Sequence, residues 1–378
     1  MPLPHFKVII VGASIEDITL PYCLHRAGIN YRILEKRNQH VPPREEPLII
    51  MPNGARIWNQ LGLLDLMTDF TVLIETAYMT LPDTGSHGIG FPKVLRERFG
   101  YSPAFMKIGA SCMRVVTWSG YEYEGDLVVG ADGMHSKVRG EMARLSKLEE
   151  LTMDVNNDMT VEYVRITGVS TRCLDYPALT HSTMLTSNGA GQNITCLAGN
   201  NAEILWSVFL KLDRKRQRCE SAELFNQMLC TGLNWRDMWD RRKSVSMIPM
   251  EEGLRGRWHW RDITSPHTGQ DTSCSIEDAA ELAILLYGCL RGRHTKPLTE
   301  EINILLGTFM QRRIRHAAGG VSVKFIPLPG RSELAWSDLQ LEQHTYWYGP
   351  LLMMMLVGVV LVLLGFNVVP GLHYTRWL

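Results

Sequence analysis

The chain has 378 residues, 45% hydrophobic and 21% charged, enough to build the cores of one large or two ordinary domains. Its 39 Lys and Arg balance 39 Asp and Glu, which excludes the global basic field of a nucleic-acid binder. Its 8 cysteines contain no CxxC pair, which argues against a zinc ribbon or a thioredoxin-type site, and reduced, cytosol-facing thiols are expected.

In chain order, "FKVIIVG" (6–12) reads as a buried strand and is too short for the apolar core of a signal peptide. "SIEDITLPYCLHRAG" (14–28) predicts a helix from the spacing of Ile15, Ile18, Leu20, Cys23, Leu24 and Ala27, kinked at Pro21 and stopped at Gly28. "NYRILEK" predicts a second strand that ends in Glu35. The three form a βαβ unit of the size that binds dinucleotides. The turn at Gly12 would offer backbone amides and a helix N-terminus to a pyrophosphate, with Ser14 donating from its N–H. Glu35 stands where a carboxylate can take both ribose hydroxyls, or is an ordinary strand-end acid. Glu16 and Asp17 add two negative charges to the first helical turn, and Asp17 occupies the place of a third glycine.

"YEYEGDLVVGAD" (121–132) predicts a hairpin feeding a buried strand that ends on Asp132 and Gly133. That pair either makes a turn or holds a ligand. "MTVEYVRITGVS" (159–170) and "AEILWSVFLKLD" (202–213) predict strands of a β-rich middle region. Arg165 on the first of them is a candidate for orienting a substrate, set against a plain exposed strand arginine. "PHTGQDTSCSIEDAA" (266–280) places a Pro–Gly turn before a helix over 273–292, with Ser275 as its cap and Gly292 as its stop. A further helix is expected over 298–317. "YGPLLMMMLVGVVLVLLGFNVVPGL" (348–372) carries no charge and has aromatic residues on both flanks, which predicts a membrane-spanning helix over 347–370. No metal-ligand spacing is present.

Three stretches together carry a resemblance: "VIIVGASI…LHRAGINYRILEKR", "EGDLVVGADGMHSKVR" and "SPHTGQDTSCSIEDAAELA". They resemble the flavin-contacting segments of FAD-dependent monooxygenases of the hydroxybenzoate-hydroxylase type, and most of all the fungal group that epoxidises prenyl chains in meroterpenoid and indole-diterpene pathways. "PNGARIWNQLGLLD" (52–65), "FPKVLRERFGY" (91–101) and "FIPLPGRSELAW" (325–336) extend the likeness over most of the chain. The resemblance implies an α/β fold: a Rossmann-like FAD-binding domain with an interleaved β-rich substrate domain and a C-terminal transmembrane helix. The expected boundaries are 1–158 and 245–320 for the FAD-binding domain, 159–244 for the substrate domain, 321–346 for a linker and 347–370 for the span. Gly12, Ser14 and Glu35 would hold the ADP half of FAD. Asp132 and Gly133 would lie near the pyrophosphate and ribityl chain, with His135, Lys137 and Arg139 beginning the next helix. Pro266 and Gly269 would face the isoalloxazine ring. NAD(P)H would reduce the cofactor, and O2 would supply one oxygen atom to a prenylated, hydrophobic substrate. The expected location is the endoplasmic reticulum membrane, with the catalytic domain facing the cytosol.

The chain also departs from that pattern. Ile108 stands where the family carries a flavin-contacting arginine, and the rest of that helix is missing after Phe105. After Trp260 the chain reaches Pro266 without the buried strand that ends in Gly-Asp in the family; Asp262 is the nearest acid, and Asp271 stands where a glycine would lie against the ring. These losses keep open a non-redox or inactive membrane-bound relative that has lost FAD. An NAD-only Rossmann enzyme would have no use for the Asp132-Gly133 and Pro266-Gly269 segments.

Overall fold

The computed structural model describes residues 3–12, 19–35, 47–66, 71–81, 85–107, 123–133, 136–148, 160–171, 182–189, 192–198, 203–212, 228–230, 233–252 and 271–318. The chain divides into two compact units, one of 1–71, 95–160 and 251–346, the other of 72–94, 161–250 and 347–378.

The first unit contains β1 (Lys7–Val11), α1 (Thr19–Arg26), β2 (Asn30–Leu34), β3 (Pro47–Ile50), α2 (Pro52–Leu61), β4 (Ala104–Lys107), β5 (Leu127–Gly130), α3 (Lys137–Leu148), α4 (Asp271–Leu290) and α5 (Thr299–Ala318). Strands β2, β1 and β5 form a parallel sheet with β1 in the middle. A central parallel strand is covered on both faces, so it reads as an unbroken apolar run, and Val8, Ile9 and Ile10 are all buried. Leu20 and Leu24 of α1 join one core with Ile276, Ala279, Ala280 and Ala283 of α4. The alanines on α4 let it approach its neighbours closely. Trp58 of α2 is fully enclosed there, and its indole N–H donates to Thr19 Oγ1 at 2.9 Å. Pro21 falls in the first turn of the described helix, where a missing N–H removes no bond within it. Strands β3 and β4 pair antiparallel. Among the described residues the parallel sheet has three strands; 257–270, where the sequence lacks an apolar strand, lies outside them.

The second unit is a seven-stranded sheet. Its order is Arg242–Glu252, Thr160–Thr171, Glu203–Lys211, Gln192–Ala198, Thr183–Gly189, Thr76–Leu81, Gly85–Ile89. The hairpin of 76–89 enters this sheet through a parallel pairing with 183–189. It therefore sits with the middle region and not with the N-terminal half, where the sequence placed it. The expected boundary at 244/245 falls inside the strand Arg242–Glu252, which pairs into the same sheet. Side chains alternate across the strands. On one face Ile166, Ile194, Cys196, Ile204, Trp206 and Val208 form a core capped by Leu229, Leu233, Trp235 and Met238. Trp206 meets Trp235 edge to face at 4.6 Å and donates to Ser170 Oγ at 2.7 Å. A side chain at Gly168 would strike the Trp206 ring at 2.3 Å, so the indole lies flush on the backbone there.

The expected span over 347–370 and the linker before it lie outside the described residues. Among the described residues no helix is long and apolar enough to cross a membrane.

Candidate functional site

The parallel register brings the sequence-predicted residues of the βαβ unit to one edge. Val11 lies opposite Leu34 of β2 and Gly130 of β5, so Gly12, Glu35 and Ala131–Asp132–Gly133 all leave the sheet at its C-terminal side. Open α/β sheets bind ligands at that edge. Gly12 has φ +111°, and its N–H donates to the Leu34 carbonyl at 2.8 Å. A Cβ on Gly12 would stand 1.9 Å from the Ala131 carbonyl oxygen and 2.8 Å from the Asp132 nitrogen. The exits of β1 and β5 are thus packed backbone on backbone, a contact that only glycine permits. The Ala131 N–H closes the junction by donating to Val11 O at 2.6 Å. Ser14 lies outside the described residues.

Asp132 turns out to hold its own chain. Its Oδ1 accepts the Ser136 hydroxyl at 2.6 Å, and its Oδ2 accepts the Lys137 N–H at 2.6 Å and the Val138 N–H at 3.3 Å. Ser136 Oγ in turn accepts the Arg139 N–H at 3.0 Å. Asp132 and Ser136 therefore satisfy the amides that the first turn of α3 leaves open. The sequence reading singled out Asp132 as a cofactor contact and overlooked Ser136, whose position three residues before Arg139 is an N-cap signal. Lys137 and Arg139 stand in the first turn of α3, as expected; His135 lies outside the described residues. Gly133 has φ +78° with open space where a side chain would project. Gly130 lets α3 lie close, since a Cβ there would be 2.9 Å from Val138 Cβ. Of the two readings of this pair, the structure shows the turn: the carboxylate makes it, and Gly133 is left open at the sheet edge.

Pro266 and Gly269 lie outside the described residues, but the helix they precede is described. It begins at Asp271, so Ser275 is an internal residue and not the expected cap. Ser273 instead reaches across to α2, where its Oγ accepts the Met51 N–H at 2.9 Å. Met51 is the N-cap of α2 and makes no side-chain cap of its own. Asn53, two residues on, is buried, and among the described residues its Oδ1 has no hydrogen-bond partner. Gly292 closes α4 with φ +74°, as expected.

In the second unit, cross-strand register sets Arg165, Phe209, Asn193 and Asn188 in one row across four strands, on the face opposite the tryptophan core. Asn193 Nδ2 donates to Asn188 Oδ1, and Asn193 Oδ1 accepts the Thr195 hydroxyl at 3.3 Å. Arg165 is half-buried, and among the described residues its enclosed Nε has no partner. Among the described residues no group of His, Cys, Asp or Glu is placed to hold a metal ion.

No family model matches the sequence. The FAD-dependent monooxygenase spyC of Aspergillus fumigatus is 34% identical over 368 aligned positions, taking in 82% of this chain and 77% of that protein. The FAD-dependent monooxygenase atmM of Aspergillus flavus is 31% identical over 470 positions, covering 97% of this chain and 95% of that protein. That alignment of 470 positions exceeds the 378 residues of this chain, so more than ninety positions of the relative have no counterpart here. Among solved structures, Klebsiella pneumoniae HpxO complexed with FAD and uric acid matches with a TM-score of 0.54 at 16% identity, over 95% of this chain and 97% of that one. PqsL of Pseudomonas aeruginosa, a probable FAD-dependent monooxygenase, gives 0.55 at 17% identity, over 83% and 93%.

Proposed function

Because the chain belongs to the FAD-dependent monooxygenases, we propose that it uses NAD(P)H and O2 to epoxidise or hydroxylate a prenylated, hydrophobic intermediate of fungal secondary metabolism. The observation that carries this is the meeting of Gly12, Glu35 and Gly133 at the C-terminal edge of the parallel sheet. The residues there are compatible with FAD: Gly12 keeps the strand exit narrow, Glu35 would turn its carboxylate to the adenosine ribose, and Gly133 leaves room at the sheet edge. Ser14, Pro266 and Gly269 would complete the cradle. When bound, FAD supplies the chemistry, taking electrons from the nicotinamide and passing oxygen to the substrate.

The protein's own part is orientation and the exclusion of water. Asp132 and Ser136 take up the first-turn amides of α3 and so fix where Lys137 and Arg139 stand, and the charges of those two residues would face the phosphates. Arg165, with its Nε unmatched, is the group that would hold an oxygen acceptor on the substrate while the prenyl chain lies along the sheet. Arg165→Lys and Arg165→Ala should raise KM with little change in FAD content if this assignment is right; unchanged kinetics would leave Arg165 a structural residue of the sheet. The uncharged run at 348–372 would anchor the enzyme in the endoplasmic reticulum membrane, where such a substrate dissolves.

The test is the visible spectrum of the detergent-purified chain after FAD loading and desalting, followed by NAD(P)H oxidation with prenylated substrates. Flavin bands at about one FAD per chain support the reading. A colourless protein would favour the non-redox relative, the reading that the missing segments after Phe105 and Trp260 motivate.

A further inference from the structure

The sheet of the second unit ends on a long open strand. Arg242–Glu252 is the outermost strand of the order, with Thr160–Thr171 on one side and, among the described residues, no strand on the other. Val245 is 41% exposed and Met247 61%, and Pro249 is exposed as well. Proline belongs on an edge strand, since it has no N–H to give to a ladder. At about 3.3 Å per residue, the 11 residues of this strand run for roughly 36 Å. An edge of this kind is a template for another strand, and proteins commonly blunt it with charge.

The charges on this strand are of both signs, and they are sorted. It reads RKSVSMIPMEE, with two bases at its start, two acids at its end and no charge between. Such a segment complements itself. A second copy running antiparallel about a two-fold axis at Met247 sets position 242 opposite 252 and position 243 opposite 251, base against acid at both ends. The uncharged middle, Ser244–Met250, then lies against its own copy. A parallel copy would set like charges opposite one another, which is destabilising. Arg242 is held in place by Trp239, donating to its carbonyl at 2.8 Å and lying over its ring at 4.4 Å, and among the described residues no carboxylate meets it. Lys243 bonds Glu203 at 2.9 Å within its own protomer, so Arg242 has the more charge to offer a second copy. Pro249 stands opposite Val245 in this register, where the ladder loses at most one bond per copy.

We propose that the strand Arg242–Glu252 is the interface of a two-fold homodimer, in which it pairs antiparallel with the same strand of a second copy about Met247. The contact is isologous and uses up the edge, so association closes at two copies. It stands independently of the cofactor reading. The test is sedimentation velocity of the full, detergent-solubilised chain over a concentration series, at low and at high salt. Wild type should dimerise, and more tightly at low salt. Two double variants are compared with it: Arg242→Glu with Lys243→Glu, and Glu251→Lys with Glu252→Lys. Each turns every opposed pair into a like pair and should weaken the dimer by roughly tenfold or more. An equimolar mixture of the two should regain it, because the acidic strand of one then faces the basic strand of the other. Met247→Cys serves where the charge variants fail to fold: residues opposed across antiparallel strands are close enough for a disulfide, so mild oxidation should link the copies through residue 247. A monomeric wild type would overturn the proposal, and so would a Met247→Cys chain that forms no link. Double variants that each dimerise as well as wild type would also overturn it, and would move the contact to another part of the chain, the uncharged run at 348–372 included.

Discussion

Replacing Gly12 by alanine places a methyl group where the structure has none to spare. The new Cβ would lie 1.9 Å from the Ala131 carbonyl oxygen and 2.4 Å from its carbon, both backbone atoms that no rotamer change can move. To reach ordinary contact the two strand exits must part by about 1.5 Å. That separation breaks the Ala131 N–H···Val11 O bond of 2.6 Å and strains the Gly12 N–H···Leu34 O bond of 2.8 Å. Each buried backbone group left without a partner costs about 1–3 kcal/mol. Holding a non-glycine residue at φ +111° adds about 1–2 kcal/mol. The two unpaired groups and the backbone penalty together come to about 3–8 kcal/mol, a large share of the ~5–15 kcal/mol that stabilises an ordinary domain. Gly133→Ala is the control. Its φ of +78° imposes the same kind of backbone penalty, but nothing lies within 4 Å of the added carbon, so only about 1–2 kcal/mol is expected. Denaturant unfolding followed by circular dichroism, with FAD retention on the same samples, measures both. Gly12→Ala should shift the midpoint far more than Gly133→Ala and lose its cofactor. Equal midpoints for the two variants would refute the argument from the Ala131 contact.

Asp132→Ala removes the acceptor for Ser136, Lys137 and Val138, and should cost about 1–2 kcal/mol in urea unfolding, with Asp132→Asn keeping part of it; an unchanged midpoint would deny the capping role. Partial burial raises the Asp126 carboxyl, but hydrogen bonds from Lys296 and the Lys7 N–H, with the charges of Lys296 and His5, outweigh it and hold the group below its ordinary value. Its ionised form is therefore favoured by folding. That stability is present above the unfolded carboxylate pKa of about 4 and is lost as pH falls below it through the folded value. Urea midpoints of wild type and Asp126→Asn should diverge above that range and converge beneath it, and parallel curves from pH 3 to 7 would count against the pairing. Burial pushes the Cys23 thiol up to about 12, against a smaller opposing effect of Arg26. Iodoacetamide at about pH 8 should alkylate Cys23 only after denaturation, as read by peptide mass spectrometry; rapid labelling of the native protein would contradict its burial.

Much of the candidate site was legible because its signals are local. A buried parallel strand must be apolar throughout, so "KVIIV" and "LVVG" announce themselves, and the residues after them, Gly12 and Asp132-Gly133, stand at the ends by necessity. The strands at 160–171 and 203–211 and the helices at 271–290 and 299–318 follow from their own periodicity in the same way. The likeness to flavin monooxygenases added the cofactor, which spacing does not name.

Other features had no local signature. Asn53, Glu277 and Arg313 are far apart in the chain, and each reads as an ordinary helix polar residue until the fold buries them together. The hairpin of 76–89 joins the sheet of the second unit through a parallel pairing with residues more than a hundred positions away, and parallel pairs leave no turn in the sequence to mark them. Asp132 shows the division within a single residue. Its place at a strand end follows from the apolar run before it, whereas the use of its carboxylate depends on the direction in which α3 departs. Periodicity and strand-end chemistry act over a few residues and can be read along the chain; burial and cross-strand register act between distant segments and exist only once the chain has folded.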